Sequence, residues 1–203
     1  MPTASVTPIQ RCLDRLKAGD AAAKEELFRA GMDRLRLCTR RMLRNYPGVR
    51  RWEDTDDVLQ NALIRLNRGM EEVSLTSTLD FLYFAAAQIR RELIDLARRH
   101  SAQKSLGANH ATPHARHVEG FVEAQPDHLT KEDPASMLRW SEFHERIAAL
   151  PSEEREVFDL LWYHGMSQEE AAALLEVSTR TIKRRWRSGR LRLHEAMGNE
   201  LPE

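Results

Sequence analysis

Apolar side chains return every three or four positions between Asp20 and Met42, at Leu27, Phe28, Leu35, Cys38 and Met42, which marks one face of an α-helix. Asp20 is placed to cap it, and Pro47 with Gly48 ends it. A second helix is predicted from Asp54 or Thr55, with Val58, Leu59, Ala62, Leu63 and Leu66 on one face and Gly69 closing it. A third opens at Thr78 and carries Phe81, Leu82, Ala85, Ile89, Leu93, Leu96 and Ala97 as its stripe. Between about Lys104 and Asp133 the period fails, and Pro113, Pro126 and Pro134 interrupt a run rich in Ala, His and Gly, so this segment is a linker.

Helical spacing resumes near Met137, with Leu138, Phe143, Ile147 and Leu150 before Pro151. Ser152 is placed to cap the next helix, whose inward side is Val157, Phe158, Leu160, Leu161 and Trp162, up to Gly165. Ser167 followed by Glu170 is a capping box, a reciprocal pairing of side chains and backbone that starts a helix. Ala171, Ala172, Leu174 and Leu175 then face inward, a break falls at Glu176 and Val177, and Ser178 or Thr179 starts another helix anchored by Ile182 and Trp186. Two short helices, the first rich in alanine so that the second crosses closely, are the sequence form of a helix-turn-helix. The expected fold is therefore all-α: two small helical domains, residues 1–104 and 135–203, joined by a flexible linker over 105–134.

Composition agrees with this pattern and narrows the class. The 203 residues are 41% hydrophobic and 31% charged, with 9 Gly and 6% aromatics, which suits a helical globular protein and neither a disordered chain nor a β-sandwich. Two cysteines, Cys12 and Cys38, make no disulfide framework, and residues 1–10 lack the pattern of a signal peptide, so a cytoplasmic location is expected. No apolar run approaches a membrane span, so no membrane insertion is expected.

The 31 basic and 31 acidic side chains cancel in total but not locally. Residues 1–104 hold 19 basic and 14 acidic groups, 135–177 hold 3 and 9, and Ser178 to His194 carry seven Lys or Arg with no acid. Such a single-sign face, on the second helix of a helix-turn-helix, points to a polyanion. With Ile182 and Trp186 inward, Thr179, Arg180, Thr181, Lys183, Arg184 and Arg187 are left for DNA. An Arg near the start of such a helix discriminates guanine by about 1–3 kcal/mol through O6 and N7. Arg180, Lys183 and Arg184 are the candidates for bases, and Arg185, Arg187, Arg190 and Arg192 for phosphates or packing.

The helix from Leu79 to His100 begins with Phe81, Tyr83 and Phe84 and ends in QIRRELIDLARRH. Gln88, Arg91, Asp95 and Arg98 or Arg99 recur on the face away from Leu93 and Leu96, and aromatics beside bases are what single-strand binding requires. Phe81 and Phe84 fit a buried core better than a stacking platform. Asp54, Asp56 and Asp57 sit at a helix start, where carboxylates favour the macrodipole, while Gln60 and Asn61 extend the polar face beside Leu63 and Leu66, which also suits a protein-docking surface; the residues alone do not choose.

Three segments together resemble a known family. DTDDVLQNALIRL is similar to the DAEDLVQ-type helix of compact bacterial extracytoplasmic-function sigma factors, group 4 of the sigma-70 family. TLDFLYFAAAQIRRELIDLARRH is similar to their following helix, and LPSEEREVFDLLWYHGMSQEEAAALLEVSTRTIKRRWRSGRLRL to their minus-thirty-five reader. The resemblance implies a non-enzymatic initiation factor without cofactor or metal, whose partners are core RNA polymerase, promoter DNA both as duplex and as melted non-template strand, and an anti-sigma protein. It implies that Asp54, Asp56, Asp57, Gln60 and Asn61 meet the polymerase clamp helices. Gln88, Arg91, Asp95, Arg98 and Arg99 would read and open the minus-ten element, and Thr179, Arg180, Thr181, Lys183, Arg184 and Arg187 the minus-thirty-five element.

The chain departs from the family pattern at four places. Glu176 stands for the usual Gly, Phe81 for a frequent Trp, Gln88 for a frequent Asn, and the base-capture loop between Gly69 and Ser77 has no aromatic. In the free state the functional surfaces are expected to be masked, by packing of the two modules on each other or by an anti-sigma partner.

Other classes remain in view. A helix-turn-helix regulator that binds DNA without polymerase would use residues 1–104 as an oligomerisation or sensor domain. An enzyme would need a site, and His110, His114 and His117 at H-x3-H-x2-H lie in a Pro-containing linker with no helix to fix metal geometry.

Overall fold

The computed structural model describes residues 6–109 and 134–198, and every regular element in them is helical. The elements are α1 (Val6–Lys17), α2 (Ala23–Arg44), α3 (Pro47–Arg50), α4 (Thr55–Glu72), α5 (Thr78–Asn109), α6 (Pro134–Ala148), α7 (Ser152–Phe158), a π-helix (Asp159–Tyr163), α8 (Gln168–Leu174) and α9 (Thr179–Ala196). His110, His114 and His117 lie outside the described residues, as does most of the expected linker. The all-α expectation is met.

Helix starts follow local chemistry. Asp54 accepts from the backbone N–H groups of Asp56 and Asp57, while Asp57 accepts from the Asp54 N–H, so α4 opens on a full capping box. Ser167 and Glu170 do the same for α8, and Ser178 accepts from the Thr181 N–H at the start of α9. Elsewhere the boundaries differ from the expected ones. Asp20 takes the Ala22 N–H and pairs with Arg15, leaving α2 to begin at Ala23 with no side-chain cap.

Ser152 is the first residue of α7 behind Pro151, and its hydroxyl caps nothing. Gly69 does not close α4, which runs to Glu72; it lets α5 approach, since a Cβ there would stand 2.5 Å from Phe84. Ser77 rather than Thr78 accepts at the start of α5, from the Asp80 N–H, and Asp80 answers by accepting from Thr76 and Ser77. Helix α5 also continues to Asn109, beyond Lys104.

Helix α1 was not among the expected elements. Its Ile9, Cys12 and Leu13 are buried, and Gln10 accepts the Thr78 N–H at the start of α5. Apolar spacing at Ile9, Leu13 and Leu16 is the signal that would have found it.

The two helical halves share their core. One cluster joins Met42, Tyr46, Ile89 and Leu93 to Trp140, Phe143, Ile147 and Tyr163; the other joins Leu35, Phe81 and Leu82 to Val157, Leu160 and Ile182. Polar groups close the same contact. His144 on α6 stacks on Tyr46, with ring centres 5.1 Å apart, and its Nδ1 lies 2.5 Å from the Tyr163 hydroxyl. His164 Nε2 donates to the Leu82 carbonyl at 3.1 Å. Asp159 opens the π turn and is buried, while Trp162 within that turn is 39% exposed rather than inward as the spacing placed it.

Candidate nucleic-acid and polymerase interfaces

Helix α9 rests on α7 through Ile182, Leu193 and Trp186, whose ring centre lies 4.8 Å from that of Phe158. Two of its cations are spent on this packing: Arg185 pairs with Glu153 at 2.9 Å and Arg192 with Glu154 at 3.0 Å. Thr181 is tied to the cap, its hydroxyl 3.0 Å from that of Ser178, and Thr179 is half-buried. Arg180, Lys183, Arg184 and Arg187 are exposed, as is Arg190, and none has an ion-pair partner among the described residues. The structure thus separates this helix into a paired inner row and a free outer row. That division meets the requirement for a helix entering a groove.

The turn ahead of it holds Glu176 at φ +54°, in the left-handed region, with its side chain exposed. The chain therefore makes the turn with a side chain where the resembling pattern uses glycine.

The five candidates on α5 fare differently. Gln88 is buried, Asp95 pairs with Arg65 at 2.8 Å, and Arg99 pairs with Glu92 at 3.3 Å. Arg98 reaches across to Glu145 on α6 at 2.5 Å. Arg91 is exposed and unpaired among the described residues. Its neighbour Arg90 was missed, being buried and bound to Asp159 at 2.5 Å. Burial raises the Asp159 carboxyl, with Arg90 opposing; burial likewise works against the Arg90 charge, but Asp159 and Tyr163 keep the guanidinium above its ordinary pKa. Phe81 is fully buried and Phe84 half-buried, in line with a core role. The loop Val73–Ser77 presents no aromatic and is tied down by Asp80, which burial would raise but hydrogen bonds from Thr76 and Ser77 hold below the usual carboxylate range.

On α4 the acids are occupied. Asp54 and Asp57 form the capping box, and Asp56 pairs with Arg36 at 2.9 Å. Gln60 and Asn61 are exposed on the same helix. Beside the helix start Trp52 is 60% exposed, stacked on His100 at 6.3 Å and covered by Arg51 at 5.4 Å. An exposed tryptophan next to the polar face of α4 has no signal in the sequence, where one Trp carries no periodicity.

Packing of the halves is one of the two expected forms of masking, and it reaches α5. The outer row of α9 and the polar face of α4 stay in solvent.

The family model for the ECF sigma factor matches residues 6–199. The chain belongs to the ECF sigma factor family. Its role is accordingly that of a sigma factor in transcription initiation. No curated protein matches the chain. Among solved structures it is similar to the sigma factor RpoE in complex with the anti-sigma factor NepR, from Bartonella quintana, at 17% identity over 86% of this chain and 96% of that chain, with a TM-score of 0.37. No described helix of this sigma factor is long and apolar enough to cross a membrane.

Proposed function

We propose that this sigma factor is of the group 4 type, acts without catalysis in the cytoplasm, and gives core RNA polymerase its promoter selectivity through three surfaces. The polar face of α4, with Gln60 and Asn61 foremost, docks on polymerase. The outer row of α9, from Arg180 to Arg187, reads the minus-thirty-five duplex in its major groove. Helix α5, through Arg91 and the neighbours freed when Arg98 leaves Glu145, holds the melted minus-ten strand. An anti-sigma protein is a further partner by family.

The observation that carries this reading is the free cationic row of α9, held out by a capped turn and an aromatic anchor. Duplex binding is strongly salt-dependent when phosphates are neutralised in this way. Run-off transcription tests it. Core polymerase plus this protein starts RNA at discrete sites, and Arg180→Ala with Arg184→Ala abolishes that selectivity. A protein that binds duplex DNA but never redirects core polymerase would be a free-standing regulator, and the proposal would be wrong.

A further inference from the structure

The contact between the two halves uses a guanidinium from the helix assigned to the melted strand. Arg90 on α5 is 5% exposed, with Nη2 2.5 Å from Oδ1 of Asp159 and its guanidinium carbon 5.0 Å from the centre of the Tyr163 ring. Its Nε finds no acceptor among the described residues, so the fork is incompletely used. Asp159 is the first residue of the π turn and is itself buried. Arg90 and the exposed Arg91 are consecutive on α5, and both line the cleft between the halves together with Tyr83 and Phe84.

A guanidinium remains charged in any environment and needs an anion when buried. A carboxylate and a phosphate offer the same pair of anionic oxygens to its fork. We propose that Arg90 is a phosphate-binding residue for single-stranded DNA and that Asp159 occupies its site in the closed arrangement, so that strand binding on α5 and packing of the halves exclude each other. The inference rests on the assignment of α5 to the melted strand. It adds a residue to that surface and names the carboxylate that competes for it. Arg98 follows the same logic at the rim, where Glu145 holds it from across the contact.

The test uses the full-length protein and a fluorescent single-stranded DNA of about a dozen nucleotides, within the usual footprint of such sites. Anisotropy reports affinity and small-angle scattering reports expansion. Asp159→Asn leaves Arg90 buried without its anion; it is expected to expand the molecule and tighten strand binding about tenfold, the size of effect set by freeing one charged contact. Adding Arg90→Gln keeps the molecule expanded and removes the gain. The neutral pair Arg90→Met with Asp159→Leu is expected to stay compact and bind about tenfold more weakly than the unmodified chain.

Expansion without tighter binding, or a neutral pair that binds as the unmodified chain does, overturns the proposal. If Asp159→Asn loses helical circular dichroism, the neutral pair decides alone. Arg91→Ala in the Asp159→Asn background separates the two levels. If it weakens binding while Arg90→Gln does not, only the role of Arg90 falls; if neither weakens it, the assignment of α5 falls with it.

Discussion

Held at φ +54°, Glu176 makes the turn into α9 in a backbone region that costs an L-residue roughly 1–2 kcal/mol. Glycine pays no such steric cost, though its freedom in the unfolded chain takes back part of the gain. Glu176→Gly is therefore expected to raise unfolding stability by about 1 kcal/mol, read as a higher melting temperature with the fold unchanged. A lower one would refute the strain. The acids at the start of α4 call for a different reading, because Asp54 and Asp57 already serve the helix as its capping box. Asp54→Ala should cost about 1 kcal/mol of stability as well as core polymerase affinity, whereas Gln60→Ala should weaken core binding and leave the melting temperature alone. Pulldown with core enzyme alongside thermal melts distinguishes them, and equal losses of stability in both variants would remove Gln60 from the docking face. Both features were visible as residue types in the sequence. Their competing structural duties were not, since a cap and a docking acid look alike until the backbone partners are known.

Among the elements, legibility followed how local the cause was. The capping box at Ser167 and the starts expected at Asp54 or Thr55 and at Ser178 or Thr179 need only neighbouring residues, and the structure puts the caps at Ser167, Asp54 and Ser178. The π turn depends on a distant partner: Asp159 tolerates burial because Arg90 waits on α5, and nothing near position 159 announces that. For the same reason Gln88, Asp95 and Arg99 looked like one free polar face, although α4 supplies Arg65 to pair with Asp95 and Glu92. The elements at the contact also carry two histidines with a consequence for pH. Burial, with Arg90 nearby, holds His144 well below the usual histidine range. Burial pushes His164 down to about 4, with Arg34, Arg41 and Arg90 adding to the effect and the Leu82 carbonyl opposing it. Both are therefore neutral when packed, and an exposed histidine takes up a proton near pH 6.5. The stabilisation is complete above that value and is lost as pH falls toward 4, by roughly 1 kcal/mol per unit for each histidine. The urea midpoint is expected to drop between pH 7 and pH 5, and His164→Asn to flatten the drop; a midpoint that does not move would show that these rings are not buried neutral.

For the whole molecule, packing and function make opposite demands. A residue stretch that is net acidic, 135–177, lies against a net basic N-terminal half, and the contact is sealed by aromatic rings and the Arg90–Asp159 pair. Promoter elements two helical turns apart, at about 34 Å per turn, are roughly 70 Å from each other. The proposed reading of both elements therefore requires the halves to separate on the chain that joins them. From Asn109 to Pro134 that chain can reach at most about 85 Å when fully extended, and as a relaxed coil only about 30 Å. The proposed function thus has little slack, and the reach of the tether becomes its limiting dimension. Removing ten residues within 112–130 shortens the limit to about 50 Å, less than the span, without touching α4, α5 or α9. Such a deletion is expected to leave core polymerase binding intact and to abolish initiation at promoters that need both elements, measured by pulldown and run-off transcription on the same preparation. Inserting ten residues, whose added entropy is only a few tenths of a kcal/mol, should leave initiation nearly unchanged. If the shortened protein initiates as well as the full one, the halves do not grip the two elements at once.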